Sequence, residues 1–139
     1  MARRPRFPRQ VLENMSLYYV CYRLSREGWN VLPTTRSEGG PNLVLLDGGA
    51  DVHHAAQVRA LTKRYALEFG TKGENDSFDF LVVCMGLDAG TPTCYILTRE
   101  EVEATLVTWG TDHQLFLEPR AYARKAYQEK WDRIPRRHS

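Results

Sequence analysis

The sequence contains no apolar run that would cross a membrane as a helix. Such a helix needs about 18 or more consecutive apolar residues, and no apolar run here approaches that length. Charged residues make up 26% of the 139 residues. The basic start of the chain also lacks the apolar segment and the small-residue cleavage site of a secretory signal. We therefore expect a soluble, globular protein of the cytoplasm that has no membrane partner.

Cysteine is scarce and carries no ligand spacing. The three cysteines, Cys21, Cys84 and Cys94, form no CxxC pair, and each lies within an apolar segment. An odd number of such residues does not build a disulfide framework. The neighbours His53 and His54 would point to opposite faces of a strand, so they do not form a zinc site together. We expect reduced cysteines in the core and no zinc.

Charge is unevenly distributed along the chain. The net charge is +2, with +4 in residues 1–10 and +5 in residues 120–139, which leaves −7 for the residues between them. Basic tails neutralise phosphates and make binding sensitive to salt, although solvated tails without a function have the same composition. We expect one domain over residues 1–139, with basic tails at residues 1–9 and 132–139.

Helical periodicity marks residues 11–27, where apolar side chains recur every three or four positions. Pro8 suits the first turn of this helix, and Gly28 suits the position after its last turn, where a positive φ is needed. One apolar stripe contains Val11, Met15, Tyr18 and Tyr22, and Leu17, Cys21 and Leu24 lie beside it. We interpret the aromatic cluster of Tyr18, Tyr19 and Tyr22 as core packing.

Strand patterns follow the helix at residues 29–32, 42–46, 50–61, 78–85 and 93–97, with a brief extended piece at residues 67–70. The run at residues 78–85 is almost wholly apolar, which is typical of a buried central strand. Thr98 and Glu101 form a capping-box pattern that begins a helix to about Thr108. A strand at residues 114–117 and a helix at residues 119–131 complete an α/β order of α-β-β-β-β-β-α-β-α.

A polar site is predicted on the hairpin that residues 42–61 form around Gly48 and Gly49. Side chains alternate along a strand, so Gln57 and Arg59 point to the same face. Folding about the turn brings Asn42 to the level of Gln57. Two amides and a guanidinium therefore converge at one end of the hairpin.

The chain resembles the PD-(D/E)XK nuclease-like superfamily, in particular its small bacterial and phage proteins such as the endonucleases associated with group I introns. The segments that carry the resemblance are residues 16–43, HAAQVRALTKR at 54–64, DFLVVCM at 79–85, YILTREEVE at 95–103, and residues 116–134. The resemblance implies a restriction-endonuclease-like fold, a mixed sheet flanked by helices. It also implies an Asp at the start of the second strand and a Glu or Gln and a Lys, two positions apart, on the third. In that family the carboxylates hold Mg²⁺ and the Lys orients the attacking water.

The resemblance places the family's three site positions at Asn42, Gln57 and Arg59. Asn42 and Gln57 would be the metal ligands, but the neutral carbonyl of Asn42 binds a hard cation more weakly than a carboxylate does. Arg59 has a permanently charged fork that suits phosphate binding better than water activation. Side chains that would compensate for these losses are Glu13, Glu38, Asp47, Asp51 and Lys63.

Two functions remain open at this point. The first is a pseudonuclease with a degraded motif that needs no cofactor and binds nucleic acid or a protein partner, as a factor carried by a phage or mobile element. The second is an active Mg²⁺-dependent endodeoxyribonuclease with displaced metal ligands. The acidic middle of the chain fits a basic protein partner as well as the basic ends fit DNA. The expected nucleic-acid contacts are Arg3, Arg4, Arg6, Arg9, Arg36, Lys63 and Arg64.

Overall fold

The computed structural model describes residues 7–34, 42–47, 53–71 and 78–135. Within these ranges the protein is a mixed α/β fold in which helices and a small second sheet flank a central sheet. The helices are α1 (Arg9–Arg26), α2 (Arg99–Thr105) and α3 (Pro119–Tyr122), followed by a 3₁₀ turn at Trp131–Arg133. The strands are β1 (Asn30–Pro33), β2 (Asn42–Leu46), β3 (His53–Leu61), β4 (Leu67–Thr71), β5 (Phe80–Met85), β6 (Thr93–Thr98), β7 (Val107–Trp109) and β8 (Gln114–Leu117).

The predicted first helix is present, but its exposed face differs from the prediction. Pro8 precedes its first turn and accepts a hydrogen bond from the Leu12 N–H at 3.0 Å, and Gly28 follows its end with a φ of 99°. Tyr18 and Tyr22 are 65% and 57% exposed, so their interpretation as core packing was wrong, whereas Tyr19 packs against the core. The buried residues of the helix are Leu12, Ser16, Leu17, Val20 and Leu24, of which Leu17 and Leu24 lie on the predicted apolar face.

The central sheet has five strands in the order β1-β2-β3-β5-β6. β3 and β5 are parallel, and the other neighbouring pairs are antiparallel. All but the last residue of β5 is buried, as its apolar sequence predicts. The α/β class with a mixed sheet flanked by helices is thereby confirmed.

Each face of the central sheet carries its own core. One face packs against α1 through residues such as Ala56 and Val58, and we call this cluster the α1-side core. The other face packs against β4, β8, α2 and α3 through residues such as Leu81 and Val83, and we call it the β4-side core. Because side chains of β3 alternate, Gln57 and Arg59 point to the face opposite to Ala56 and Val58, which is the β4 side.

The second sheet has three strands in the order β4-β8-β7. The helix that begins at the Thr98–Glu101 capping box ends at Thr105, where a helix to about Thr108 was expected. Val107–Trp109 forms β7 instead, because these residues pair with β8. The β-branched and aromatic side chains of Val107, Thr108 and Trp109 favour a strand over a helix.

The predicted helix at residues 119–131 is wrong beyond its first turn. The helix α3 stops at Tyr122, and the chain then forms backbone hydrogen bonds to β6. The Ile96 N–H donates to the Tyr127 carbonyl at 3.0 Å, and the Glu129 N–H donates to the Cys94 carbonyl at 2.7 Å. The edge of β6 would otherwise expose unpaired backbone groups, and this pairing overrides the local helical preference.

The placement of the cysteines agrees with the expected reduced core residues in part. Cys84 and Cys94 face each other across β5 and β6, both are buried as free thiols, and Cys21 is half-buried. Burial raises the pKa of the Cys84 thiol well above its usual value.

None of the helices in the described ranges is long and apolar enough to cross a membrane.

Candidate functional site

The strand register places Asn42 directly opposite Gln57 in the antiparallel pair of β2 and β3. Directly opposed residues of such a pair have their Cβ atoms about 4.5–5.5 Å apart. Folding about Gly48 and Gly49 predicts Asn42 only at roughly the level of Gln57, and the observed strand register fixes the pair. The hairpin thus brings the first two of the three motif positions together at the backbone level.

The second and third motif positions contact each other on β3. Gln57 is only 2% exposed, although its side chain is polar. Its Oε1 accepts a hydrogen bond from Arg59 Nε at 3.3 Å. A buried amide oxygen without a partner would cost about 1–3 kcal/mol, so the guanidinium stabilises the burial of Gln57. The Gln57 oxygen is therefore engaged by a cation of the protein itself.

Two residues of strand β4 also contact the Arg59 guanidinium. Arg59 Nη2 donates to the Glu68 carbonyl at 2.8 Å, and the guanidinium carbon lies 4.7 Å from the centre of the Phe69 ring. Phe69 is itself buried beside Phe78, with ring centres 6.3 Å apart. The planar fork of an arginine suits such a site, because it stacks on a ring and donates along its edges at the same time. The sequence predicts a brief extended piece at residues 67–70, but it does not predict that this piece lies over Arg59 of β3.

The described residues do not fit a bound Mg²⁺ at this site. Mg²⁺ prefers carboxylate oxygens in octahedral geometry, whereas the two ligand positions here are the amides of Asn42 and Gln57. The Arg59 guanidinium places a positive charge 3.3 Å from the Gln57 oxygen that would bind the metal. In the described ranges, no group of three or more His, Cys, Asp or Glu side chains is arranged to hold a metal ion.

Two of the expected auxiliary carboxylates lie away from the Gln57–Arg59 pair. Glu13 belongs to α1, which packs on the other face of the sheet, and it forms a surface ion pair with Arg9 at 3.3 Å. Asp47 is buried just after β2, five residues from Asn42, which is about 17 Å along an extended strand. Glu38 and Asp51 lie outside the described residues.

The expected nucleic-acid contacts are placed only in part. Lys63 and Arg64 are exposed just after β3, and Arg9 is exposed at the first residue of α1. Arg3, Arg4, Arg6 and Arg36 lie outside the described residues. At the other end of the chain, Arg133 and Ile134 of the expected 132–139 tail pack against the domain, since Ile134 is buried and Arg133 donates to the Ile96 carbonyl at 2.6 Å.

Comparison with known proteins supports the fold. No family model and no curated protein matches the sequence. Among solved structures, the fold is similar to that of the bacterial homing endonuclease I-Ssp6803I, a PD-(D/E)XK-type fold, with a TM-score of 0.58. The alignment covers 91% of each chain at 19% sequence identity. The restriction-endonuclease-like architecture that the sequence predicts is therefore confirmed.

Proposed function

We propose that this protein is a DNA-binding pseudonuclease, a nuclease-fold protein that binds DNA and does not cleave it. The observation that carries the proposal is the bond from Arg59 to the buried Gln57 oxygen underneath β4. An endonuclease of this fold type needs that oxygen for its metal. Here a guanidinium takes the place of both the metal and the water-activating lysine.

Arg59 is unsuited to the catalytic step for two reasons. A guanidinium stays protonated at any pH at which the protein is folded, so it does not exchange protons with a water molecule. Its contacts with Gln57, Glu68 and Phe69 also fix its position within the fold. The residue therefore stabilises the hairpin where a catalytic lysine would activate water.

Two features support DNA as the partner. The structural neighbour over 91% of the chain is a homing endonuclease by its title. The ends of the chain are strongly basic, with +4 in the first ten residues, and cations of this kind gain affinity by releasing counterions from the phosphate backbone. A protein that binds DNA in this way without cutting it would act by occupying the DNA.

A nicking assay tests the proposal. Purified protein is incubated with supercoiled plasmid across a range of Mg²⁺ and Mn²⁺ concentrations, and binding to a labelled duplex is measured in parallel by fluorescence anisotropy. We expect binding without nicking. A Gln57→Ala variant is the control, because it removes the amide oxygen that a metal at this site would need.

Metal-dependent nicking by the parent protein that Gln57→Ala abolishes would replace the proposal with an active Mg²⁺-dependent endonuclease. Robust nicking by the parent that Gln57→Ala leaves unchanged would overturn the assignment of Asn42, Gln57 and Arg59 as the site. Absence of duplex binding at low salt would overturn the DNA-binding part of the proposal.

A further inference from the structure

Five exposed cations lie on two chain segments that meet at α3. One segment is the connection from β3 to β4, and the other runs from α3 into the turn behind it. We call this group the α3 patch, and its members are Lys63, Arg64, Arg120, Arg124 and Lys125. The patch lies on the β4 side of the central sheet, because both segments are anchored in the β4-side core.

A buried tyrosine fixes the two segments against each other. The hydroxyl of Tyr122 donates to the Tyr65 carbonyl at 2.7 Å, and the Tyr122 side chain is fully buried. Burial raises the pKa of Tyr122 to about 12, and the nearby Arg64 charge opposes that shift. Arg64 therefore lies close to α3, and the cations of the two segments form one surface.

Few carboxylates offset these charges. Glu118 pairs with Arg120 at 3.1 Å, and Glu68 is exposed at the second residue of β4. The two segments and the start of β4 thus carry five cations against two carboxylates. In the middle of the patch, Tyr65 is 53% exposed, and a phenol hydroxyl is a common donor to phosphate oxygens.

The patch begins just beyond the strand that carries the Gln57–Arg59 pair. β3 ends at Leu61, and Lys63 follows two residues later in the bend after the strand. Asn42 begins β2 opposite Gln57, so β3 extends past the start of β2 toward the patch. The degraded motif and the cations therefore lie along one end of the molecule.

We propose that the α3 patch binds the phosphate backbone of duplex DNA, an inference that rests on the proposed function and gives it a surface. Five exposed lysine and arginine side chains on two adjacent segments can meet several phosphates of a duplex, which carries one charge per about 1.7 Å of its axis. Single strands are bound instead by rows of stacking aromatic side chains. Tyr65 is the exposed aromatic residue of residues 62–66 and 118–125, and one ring does not make such a row.

A pair of matched double variants tests the surface. Lys63→Gln with Lys125→Gln removes one cation from each segment of the patch. Arg26→Gln with Lys130→Gln removes the same charge elsewhere, because α1 packs on the other face and the chain crosses the edge of β6 before Lys130. All four side chains are exposed, and thermal melting checks that both proteins are folded.

The measurement is the affinity for a labelled duplex at several salt concentrations. Each phosphate contact contributes about 0.9 to the slope of log K against log salt, so the patch variant is expected to lose roughly 1.8 units of slope. The control variant is expected to keep the slope of the parent. Equal slopes for the two variants, while the parent binds duplex, would overturn the patch and leave DNA binding in place.

Two other outcomes bear on the proposals separately. Failure of the parent to bind duplex at low salt would overturn the proposed function as well as the patch. Tighter binding of the parent to a single strand of the same length than to the duplex would overturn the assignment of duplex DNA.

Discussion

An arginine at position 59 does two things that a lysine there would not do. Its planar fork donates to Gln57 Oε1 and to the Glu68 carbonyl at the same time, at 3.3 Å and 2.8 Å. It also stacks on Phe69, a contact worth about 0.5–2 kcal/mol. A lysine ammonium is a strongly hydrated point charge on a flexible stem, and it would leave the Gln57 oxygen accessible to another partner. The arginine at this position therefore links Gln57 to strand β4.

Restoring the family's motif tests whether Arg59 keeps a metal ion away from the Gln57 oxygen. Asn42→Asp with Arg59→Lys adds a charged ligand and removes the guanidinium from the Gln57 oxygen. We expect at least roughly tenfold tighter Mn²⁺ binding than in the parent, equivalent to about 1.4 kcal/mol, and a gain of metal-dependent nicking. Isothermal titration with Mn²⁺ is the measurement, and the two single variants are the controls.

Neither single variant should match the double one. Asn42→Asp retains the cation beside the Gln57 oxygen, and Arg59→Lys retains a neutral ligand at position 42. Equal Mn²⁺ binding by the parent and the double variant would show that Asn42 and Gln57 are not the remains of a metal site.

At the scale of elements, Glu101 joins α2 to the C-terminal turn. Its carboxylate closes the capping box by accepting the Thr98 N–H at 2.9 Å. The same carboxylate accepts two hydrogen bonds from Arg133, one of them at 2.8 Å from Nη1 to Oε1. Arg133 in turn lies over the Tyr127 ring at 4.6 Å. One side chain therefore stabilises the start of a helix and the position of a segment that follows it by about thirty residues.

This arrangement predicts a pH-dependent contribution to stability. The hydrogen bonds from Arg133 lower the pKa of Glu101 below its usual value. A carboxyl whose folded pKa is lowered stabilises the protein fully above its unfolded pKa of about 4.3, and that contribution is lost as the pH falls through the lower folded value. Glu101→Gln keeps a capping side chain but removes the charge, so it should destabilise the protein at pH 7, and this effect should shrink as the pH falls from about 4.3 through the lower folded pKa.

The measurement is the difference in melting temperature between the parent and Glu101→Gln from pH 7 to pH 3. Glu103→Gln is the matched control, since Glu103 forms an exposed ion pair with Arg99 at 3.0 Å, and such pairs contribute about 0.3–0.5 kcal/mol. A difference for Glu101→Gln that does not change with pH would exclude the Arg133 pair as the source of its effect.

At the scale of the whole molecule, charge is the feature that a DNA partner would meet first. The basic C-terminal region does not act only as a tail, because Arg133 is held in the domain and Arg120, Arg124 and Lys125 belong to the α3 patch. The N-terminal cations Arg3, Arg4 and Arg6 precede α1, which begins at Arg9. These three arginines can therefore be removed without changing the sequence of α1.

Deletion of residues 1–6 tests the contribution of these arginines to DNA binding. The deletion leaves Pro8 and the start of α1 intact, so the domain should melt at the temperature of the parent. Each deleted arginine that contacts a phosphate should remove about 0.9 from the slope of log K against log salt for duplex DNA. A slope equal to that of the parent would exclude the N-terminus from the interface, and a replacement of the three arginines by glutamine separates charge from length.

Local patterns in the sequence determined a large part of this fold. The bounds of α1 follow from Pro8 and Gly28, the capping box locates the start of α2, and the apolar run at residues 78–85 predicts the buried β5. The face that Gln57 and Arg59 share follows from the alternation of side chains along β3. Each of these features depends on residues that are close in the chain, so the sequence alone specifies it.

Only the tertiary structure decided which surfaces these elements meet. Residues 67–71 become a strand over Arg59 because the β4-side core accepts Leu67 and Phe69, and the segment after α3 leaves its helix because β6 has an unpaired edge. Tyr18 and Tyr22 have the spacing of core residues, but the sheet takes the neighbouring stripe of α1. In each case the sequence pattern allows two structures of similar local free energy, and a partner distant in the chain selects between them.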